Sequence, residues 1–409
     1  MVNRTGGPRS FRLSEAVLRA LSEVSGRRGP DEAGRADQEV VRGVLRLSRL
    51  FTRERDSLAA SYLDDDRLRL AYLSYYVPVN LAKVRLLLEE MPPPQGAGSS
   101  QPFLVLDLGS GPGSASLALL DWFTDRLGLG NRPLQAIAMD RSQRALRDCA
   151  DLWRAYERIA PVQSASLLTL QADLERTARL DRMAKREDRP YDLIVVSHAL
   201  NELFRKAREP VERRVELVRD LLGRLDRHGT LLIVEPALRE TARELHRFRD
   251  RLVADGACTV YSPCLHERPC PALVKEEDWC HEERPWTPPP VVAALDREVG
   301  FIKDALKFAY LILRKDGKSL VRRAPDVYRA VSELRVMKGE KRAWLCNETG
   351  RPEVGRLDRE RSATNEAFDD WHRGAIVRID QIVRAQRKDR EATVGRIPAS
   401  ANIEVIRSI

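Results

Sequence analysis

The sequence predicts an α/β protein whose central domain is a parallel sheet covered by helices on both faces. From residue 103 onward, short apolar runs alternate with amphipathic stretches, as in FLVLDLG followed by ASLALLDWFTDRLG. Strands and helices in alternation form βαβ units, whose crossover helices cover both faces of a parallel sheet. The chain has 409 residues, of which 43% are hydrophobic and 32% charged, so it has room for two or three globular domains.

The N-terminal unit, residues 1–98, is predicted to be entirely helical. Its apolar residues recur with helical spacing in FRLSEAVLRALSEV, QEVVRGVLRLSRLF and LAYLSYYVPVNLAKVRLLLEEM, without the alternation of a strand. The unit ends in MPPPQGAGSSQP, whose Pro, Gly and Ser residues cannot continue a helix. We interpret this run as a linker to the next domain.

The central domain is predicted at residues 99–315. Its successive strands are FLVLDLG, LQAIAMD, SLLTLQADL, YDLIVVSHAL and GTLLIVEPA, and the last two are ACTVYSPC and KFAYLILRK. Between these last two strands lies a Cys-, Pro- and charge-rich insertion at residues 258–290. Residues 316–409 are predicted to form a small β-rich appendix that ends in a helical, basic C-terminal tail.

The charge distribution indicates a polyanionic partner. The chain carries 70 Lys and Arg against 61 Asp and Glu, a net charge of +9, and residues 301–409 hold 24 of these basic and 16 of these acidic residues. Nearly all of the excess therefore lies in the C-terminal quarter, which favours contact with a polyanion there. A solvated basic surface without a partner explains the same charge.

Composition also bears on where the protein works. No stretch reaches the roughly 18 uninterrupted apolar residues of a membrane helix, and the first residues lack the apolar core of a secretory signal. Six cysteines are too few for a secreted disulfide framework. Glu15 and Glu23 interrupt the Arg-bearing N-terminus, whereas mitochondrial transit peptides are poor in acids. We therefore expect a bacterial cytoplasmic protein without membrane contact, with the mitochondrial matrix as the alternative.

A glycine-rich turn follows the first strand of the central domain. LVLDLGSGPGSAS places Gly109, Gly111 and Gly113 between a strand and a helix, with Asp107 at the carboxyl edge of the sheet. Glycines there allow a sharp turn and close approach of a ligand to the free N–H groups of the helix. The arrangement resembles motif I of the class I S-adenosylmethionine (SAM)-dependent methyltransferases, which have a Rossmann-like fold.

This resemblance implies roles for further residues. Asp140 corresponds to the acid of the second strand, which accepts from the ribose hydroxyls. Asp173 corresponds to the position that often holds the adenine amine, and Ser197 begins the segment beside the methyl donor. A nicotinamide-binding domain has a similar turn, although its acid usually follows after about 20 residues. A simple strand-to-helix turn and, for Asp173, helix capping are the structural alternatives.

Catalytic residues are less well indicated. The Asn or Asp followed by Pro-Pro-aromatic of amino-group methyltransferases is missing, because SHALNE follows the fourth strand instead. His198, Asn201, Glu202 and Glu235 are candidates that could polarise or deprotonate a nucleophile. Supporting or capping roles explain the same four residues equally well.

Four cysteines form a candidate metal site. Cys264, Cys270, Cys280 and Cys346 follow one another at intervals of 6, 10 and 66 positions, which is not the paired spacing of a zinc ribbon. Prolines beside the first two would hold the backbone in stiff, extended turns. Four thiolates bind zinc or an iron–sulfur cluster, and His266 and His281 could replace a thiolate at zinc. Buried inert thiols are the alternative.

Taken together, the motifs resemble the Rsm22 family of methyltransferase-like proteins. In chain order, the resemblance rests on YYVPVNLAKVRLLLEE, LDLGSGPGSASLAL, SHALNEL, LLIVEPALRETARELHRFRD, SPCLHERPCP, DWCH, KFAYLILRK and WLCNETG. It implies a [4Fe–4S] cluster on Cys264, Cys270, Cys280 and Cys346, with Cys258 and Cys149 outside the pattern. Mitochondrial members of the family are small-ribosomal-subunit proteins or assembly factors.

The leading hypothesis is therefore a SAM-binding, iron–sulfur-containing methyltransferase-like protein. It would act on the small ribosomal subunit or its rRNA during assembly or translation, and would be monomeric off the ribosome. The alternative is a catalytically inactive assembly scaffold with a zinc or iron–sulfur site and no methyl transfer. Intact glycine-turn residues favour the first hypothesis, and the missing catalytic tetrapeptide favours the second.

Overall fold

The N-terminal part of the chain is mainly helical, as predicted, and its described residues form four α-helices. The computed structural model describes residues 10–26, 35–58, 61–94, 100–126, 132–162, 164–176, 189–301, 304–387, 390–391 and 393–408. The helices are α1 (Glu15–Ser25), α2 (Gln38–Thr52), α3 (Asp66–Ala71) and α4 (Val77–Glu90), with a π-helical turn at Tyr72–Tyr76. Ser14, Asp37 and Asp65 cap the first three through hydrogen bonds from backbone amides. The predicted boundary after residue 98 lies outside the described residues.

Among the described residues, the central sheet contains eight strands. They are β1 (Phe103–Leu108), β2 (Leu134–Asp140), β3 (Ala165–Gln171), β4 (Tyr191–Ser197), β5 (Leu225–Pro236), β6 (Thr259–Ser262), β7 (Glu282–Pro285) and β8 (Ala305–Arg314). Their order is β3-β2-β1-β4-β5-β8-β6, and β7 also pairs with β8. The first five strands are parallel, whereas β8 is antiparallel to β5, β6 and β7. The prediction of a parallel-rich α/β sheet is confirmed.

Helices cover both faces of this sheet. They are α5 (Ser114–Asp125), α6 (Gln143–Ile159), α7 (Pro210–Arg224), α8 (Arg239–Ala254) and α9 (Pro290–Val299). Alternate residues of the central strands point to opposite faces: Val105 and Val195 pack with α4, α5 and α6, whereas Leu106 and Ile194 pack with α7 and α8. The N-terminal helices thus share a hydrophobic core with one face of the sheet.

The C-terminal residues form a second sheet. Its strands are β9 (Val327–Ala330), β10 (Arg335–Met337), β11 (Glu340–Cys346), β12 (Glu353–Leu357), β13 (Ile376–Ile379), β16 (Val394–Arg396) and β17 (Ile403–Arg407), and β14 (Gln386–Arg387) pairs separately with β15 (Arg390–Glu391). The predicted helical tail is wrong, because the described residues after residue 350 form strands and short 3-10 turns. Ile376, Val377 and Ile379 have near-helical spacing, but they enter the sheet by pairing with β9 and β17.

Among the described residues, no helix is both long enough and apolar enough to cross a bilayer.

Candidate functional site

The glycine-rich turn lies between β1 and α5, at the carboxyl edge of the sheet. Gly109, Gly111 and Gly113 have φ values of 69°, 51° and 90°. A Cβ on Gly109 would lie 2.4 Å from the Cβ of Ala199, and a Cβ on Gly113 would lie 2.6 Å from the Sγ of Cys149. Close packing inside the protein therefore explains these two glycines. A Cβ on Gly111 would come no closer than 3.7 Å to its nearest described neighbour, so the space above this residue is more open.

Asp107 and Ser197 lie near the ends of neighbouring strands, and each has a buried oxygen without a hydrogen-bond partner among the described residues. Leu108 pairs with Val196, which brings these strand ends together. The Oδ2 of Asp107 accepts from the Ser116 hydroxyl at 2.7 Å, while its Oδ1 and the Oγ of Ser197 have no partner. Burial raises the pKa of Asp107 to about 7. Because unpaired buried polar atoms are uncommon, the two oxygens are candidates for contact with a ligand.

Asp140 and Asp173 both accept hydrogen bonds from the backbone. Asp140 ends β2, and its carboxylate accepts from the amides of Gly111 at 2.9 Å and Ser142 at 2.8 Å. It thereby connects the glycine turn to the start of α6, and burial raises its pKa. Asp173 accepts from the amide of Glu175 at 3.1 Å. Helix capping was considered for Asp173; among the described residues its side chain caps a turn instead. Contact of either residue with a cofactor stays a prediction.

A short turn of the N-terminal unit, Tyr62–Asp64, covers the glycine turn. The Cδ1 of Leu63 is the atom at 3.7 Å from a Cβ placed on Gly111. The Oδ1 of Asp64 accepts from the Ser142 hydroxyl at 2.6 Å. The N-terminal unit therefore covers one side of the candidate cofactor site.

A cavity of about 360 Å³ opens at the ends of β4 and β5. His198, Asn201 and Glu202, three of the four catalytic candidates, line it. His198 has a φ of 56°, which is uncommon for a residue with a side chain, and its Nε2 lies 3.3 Å from the Nζ of Lys83. Backbone strain of this kind is concentrated at functional sites. The structure thus brings these three candidates to one cavity.

Glu235, the fourth candidate, is bonded to Asn201. The Asn201 amide donates to one carboxylate oxygen of Glu235 at 3.2 Å, and its Nδ2 donates to the other at 2.5 Å. The Oδ1 of Asn201 accepts from the guanidinium of Arg55 at 2.9 Å. Burial raises the pKa of Glu235 to about 7, and burial together with the charge of Glu235 raises the pKa of Glu202 to about 8. Asn201 and Glu235 therefore brace each other, whereas the raised pKa of Glu202 favours its protonated form at neutral pH.

Sequence reasoning missed the N-terminal residues of this cavity. Lys83 and Asn80 are buried in α4, and the Nζ of Lys83 donates to the Oδ1 of Asn80 at 3.0 Å. Tyr62, Tyr72 and Tyr76 line the cavity wall. The signal was available, because four of the nine tyrosines of the chain lie between residues 62 and 76. The helical periodicity of this segment predicts only an amphipathic helix, whose apolar face would pack in the core.

The four predicted cysteine ligands line one small cavity of about 40 Å³ between the two sheets. Cys264 follows β6, Cys270 and Cys280 lie in the segment between β6 and β7, and Cys346 ends β11. His266 also lines the cavity, and its Nε2 lies 3.6 Å from the Sγ of Cys346. Cys149 and Cys258, which were placed outside the pattern, are buried in the cores around the central sheet.

The electrostatics of this cavity combine thiols with arginines. Burial, followed by the neighbouring thiols, raises the pKa of Cys270 and Cys346. Arg249 opposes this effect at Cys264, and Arg351 opposes it at Cys280. Among the described residues, no group of three or more His, Cys, Asp or Glu side chains has the arrangement of a formed metal site. The donor set and its positive surroundings nevertheless suit a centre with several thiolates.

Similar solved structures include three methyltransferases of low identity. CcbJ from Streptomyces caelestis is 14% identical over 38% of this chain and 48% of its own, with a TM-score of 0.25. The mitomycin 7-O-methyltransferase MmcR is 16% identical over 74% and 68%, with a TM-score of 0.32. The precorrin-6y C5,15-methyltransferase from Geobacter metallireducens is 14% identical over 57% and 87%, with a TM-score of 0.31. This chain thus spans about half the length of CcbJ.

The comparison with curated proteins gives no match. A family described as "Mitochondrial small ribosomal subunit Rsm22" matches residues 67–355. The matched range includes the glycine turn, the large cavity wall from Tyr72 onward and all four cysteines. Because it covers well over half of the 409 residues, the chain belongs to the Rsm22 family, as its motifs predict.

Proposed function

We propose that this protein binds SAM and acts on the small ribosomal subunit or its rRNA as a methyltransferase-like factor. The observation that carries the proposal is the family match, because the family is described as a small-ribosomal-subunit protein and the match includes the whole glycine turn. The net charge of +9 supports a polyanionic partner. The mitochondrial description of the family favours the matrix, which was the alternative to a bacterial cytoplasm.

The proposed cofactor site uses residues at the ends of β1, β2 and β4. The unpaired oxygens of Asp107 and Ser197 would receive hydrogen bonds from the cofactor, and the open space above Gly111 would admit it. Asp140 would face the ribose, and Asp173 would lie near the adenine. When bound, SAM supplies an electrophilic methyl group. His198 follows β4 directly and Glu202 lines the same cavity, so both could orient an acceptor, and the protonated carboxyl group of Glu202 would donate a hydrogen bond to it.

Cofactor binding is tested by calorimetric titration of the full-length protein with SAM. We expect Asp107→Asn, which keeps the shape of the side chain, to weaken binding by at least tenfold. Asp125→Asn, at the exposed end of α5, is the matched control and should bind as the wild type does. Absence of SAM binding by the wild-type protein would refute the proposed cofactor.

We further propose that Cys264, Cys270, Cys280 and Cys346 hold a metal centre, with [4Fe–4S] as the first choice and zinc as the alternative. Their common cavity and the nearby arginines support this assignment. The test is the iron, sulfide and zinc content of anaerobically purified protein. Four irons and four sulfides, lost in Cys270→Ser but kept in Cys258→Ser, are expected; one zinc would select the alternative, and protein without metal would refute both.

The second candidate function is an assembly scaffold without methyl transfer. The bracing of Asn201 by Glu235 and Arg55 favours it, because side chains that are tied to one another have less capacity to act on a substrate. If the protein is a scaffold, the wild type and Asp107→Asn should co-sediment with small subunits equally well. A cofactor-dependent protein would lose this binding, or the methylation of the subunit, in the variant.

We also propose that the chain has three parts and that it is a monomer when it is not bound to the ribosome. The parts are the helical unit (1–98), the methyltransferase-like domain with its insertion (99–315, insertion 258–290) and the appendix (316–409). Light scattering of the purified chain tests the monomeric state: a mass near 46.4 kDa is expected, and a multiple of it would contradict the proposal.

A further inference from the structure

The large cavity has an aromatic wall that the proposed cofactor site does not use. Phe51, Tyr62, Tyr72 and Tyr76 line it, and we refer to it as the aromatic cavity. Their rings form a connected group: the centroids of Phe51 and Tyr76 are 5.2 Å apart, those of Phe51 and Tyr62 are 5.6 Å apart, and Tyr72 stacks on Tyr76 at 5.4 Å. All four side chains are only partly buried, although they belong to a helical unit with a hydrophobic core. They therefore present ring surface to the cavity.

The same cavity also has polar lining residues, which suit the edge of a heterocycle. They include His198, Glu202 and Lys83. Because burial and the charge of Glu235 raise the pKa of Glu202 to about 8, its carboxyl group can donate one hydrogen bond and accept another at neutral pH. Aromatic rings and hydrogen-bonding groups that line one cavity are the means by which proteins hold an unstacked base.

Cations lie around the same cavity. Arg55, Arg205 and Lys307 line it together with the aromatic residues, and the side chain of Lys307 is 55% exposed. Such residues bind phosphates of a nucleic acid backbone while a base stacks on aromatic rings. An uncharged metabolite would not use these cations. The predicted contacts of the cofactor, Asp107, Ser197 and the glycine turn, do not line this cavity.

We propose that the aromatic cavity binds one nucleobase of single-stranded RNA, with its ring against Tyr72 and Phe51 and its edge toward His198 and Glu202. This inference rests on the proposed function, because it names the part of the substrate that would enter the site. The volume of about 360 Å³ exceeds that of one base, which leaves room for its ribose. The end of β4 would then lie between the base and the cofactor.

The test compares nucleotides with a ligand that lacks a base. AMP, CMP, GMP, UMP and ribose 5-phosphate are titrated calorimetrically into the full-length protein at saturating S-adenosylhomocysteine, which blocks the cofactor site against AMP. Because stacking on aromatic rings stabilises a bound base, at least one nucleotide should bind about tenfold more tightly than ribose 5-phosphate. Tyr72→Leu and Phe51→Leu should reduce this preference to less than about threefold. Tyr72→Phe, which keeps the ring, should preserve it, as should Tyr328→Leu in the appendix.

The outcomes separate the base site from the cofactor site. Equal binding of nucleotides and ribose 5-phosphate by the wild-type protein would overturn the base site. A preference for nucleotides that survives Tyr72→Leu and Phe51→Leu would overturn it too, provided that circular dichroism shows both variants to be folded. Nucleotide binding that occurs without S-adenosylhomocysteine and is lost when S-adenosylhomocysteine is saturating would also overturn it, because the cavity would then belong to the cofactor. If SAM fails to bind while the nucleotide preference and its ring dependence remain, only the proposed cofactor is refuted.

Discussion

Single acidic residues at the carboxyl edge of the sheet are buried, and burial is the main influence on their protonation. It raises the pKa values of Asp107 and Glu235 to about 7 and, together with the charge of Glu235, that of Glu202 to about 8. Buried carboxyl groups with raised pKa values lower the free energy of unfolding as the pH rises, because the unfolded chain can ionise them and the folded protein resists their ionisation. Perturbed acids in a cavity are typical of functional sites, although structural groups also show them.

Replacement of Glu202 by glutamine should make the stability less dependent on pH. Between pH 4.5 and about 8, the folded wild type keeps a proton that the unfolded chain has lost, so its free energy of unfolding falls as the pH rises through this range. Glu202→Gln removes this loss and should gain roughly 4 kcal/mol relative to wild type between pH 5 and pH 8.5. Urea denaturation at both pH values measures the difference. Glu216→Gln, on the exposed side of α7, should show no such gain; parallel pH profiles for wild type and Glu202→Gln would contradict the argument.

The sequence allowed the glycine turn and its acids to be predicted, because strand, turn and helix are contiguous there. Gly109, Gly111, Asp107 and Asp140 all lie at the edge where β1 and β2 end. The position of Lys83 in the large cavity could not be predicted in the same way. It lies 115 positions from its neighbour His198, and its position on α4 resembles that of an ordinary core-facing residue.

At the scale of one element, helix α8 positions the cysteine-bearing segment. The guanidinium of Arg243 donates to the carbonyl oxygens of Ala272 at 3.1 Å and Lys275 at 2.7 Å. His246 lies 3.1 Å from the carbonyl oxygen of Cys280. Arg249, three residues further along, is fully buried and donates to backbone carbonyls between Cys264 and Cys270. One face of the helix therefore fixes a segment that has little regular structure.

Arg249→Met should destabilise the protein strongly. The change removes a buried cation and leaves carbonyl oxygens of the segment without donors, so the free energy of unfolding should fall by about 3–5 kcal/mol. Labelling of Cys264 and Cys270 by a thiol reagent should become faster. Arg251→Met on the exposed face of the same helix is the control, and its effect should stay below about 1 kcal/mol. Equal effects of the two variants would show that the segment does not depend on Arg249.

Elements were predicted best where the pattern was long. The N-terminal helices and the strands of the central sheet follow their apolar periodicity, and β6 and β8 were also located correctly. The β-rich appendix was predicted, but the strands of its tail were missed because they are short: β13 has four residues, and its apolar side chains fit a helix as well as a strand. Pairing with β9 and β17, which are distant in sequence, decides between the two.

At the scale of the whole molecule, a buried ionic network joins three parts of the chain. Glu90 at the end of α4 accepts from Tyr310 at 2.6 Å and from Arg284 at 3.0 Å. Arg329 of β9 pairs with Glu282 and donates to the Tyr310 hydroxyl at 3.1 Å. Burial alone would raise the pKa of Glu90, but Arg284 and Arg329 hold it at about 2. The N-terminal unit, the central sheet and the appendix are therefore coupled through charges.

Glu90→Gln should reduce the stability of the whole protein rather than that of one part. It leaves buried arginines without full compensation, which costs about 3–5 kcal/mol. Glu89→Gln, one residue earlier and half exposed, should cost about 1 kcal/mol or less. In a double-mutant cycle measured by urea denaturation, Glu90→Gln and Arg329→Met should be less than additive by at least about 1 kcal/mol. Additive effects would mean that the parts are stabilised independently.

The charge excess of the C-terminal quarter predicts how binding to RNA depends on salt. A protein that neutralises three phosphates of single-stranded RNA has a slope of about −2 in a plot of log affinity against log salt, so affinity should fall more than tenfold between 50 and 200 mM KCl. The hairpin of β10 and β11 exposes Arg335 and Lys338, and their joint replacement by glutamine should make the slope less negative by about 1 to 1.5. Replacing Arg219 and Arg251 of α7 and α8 removes the same charge from another surface. Fluorescence anisotropy with a labelled oligonucleotide distinguishes the two: equal slopes for both variants would mean that net charge, rather than contact at the appendix, determines the binding.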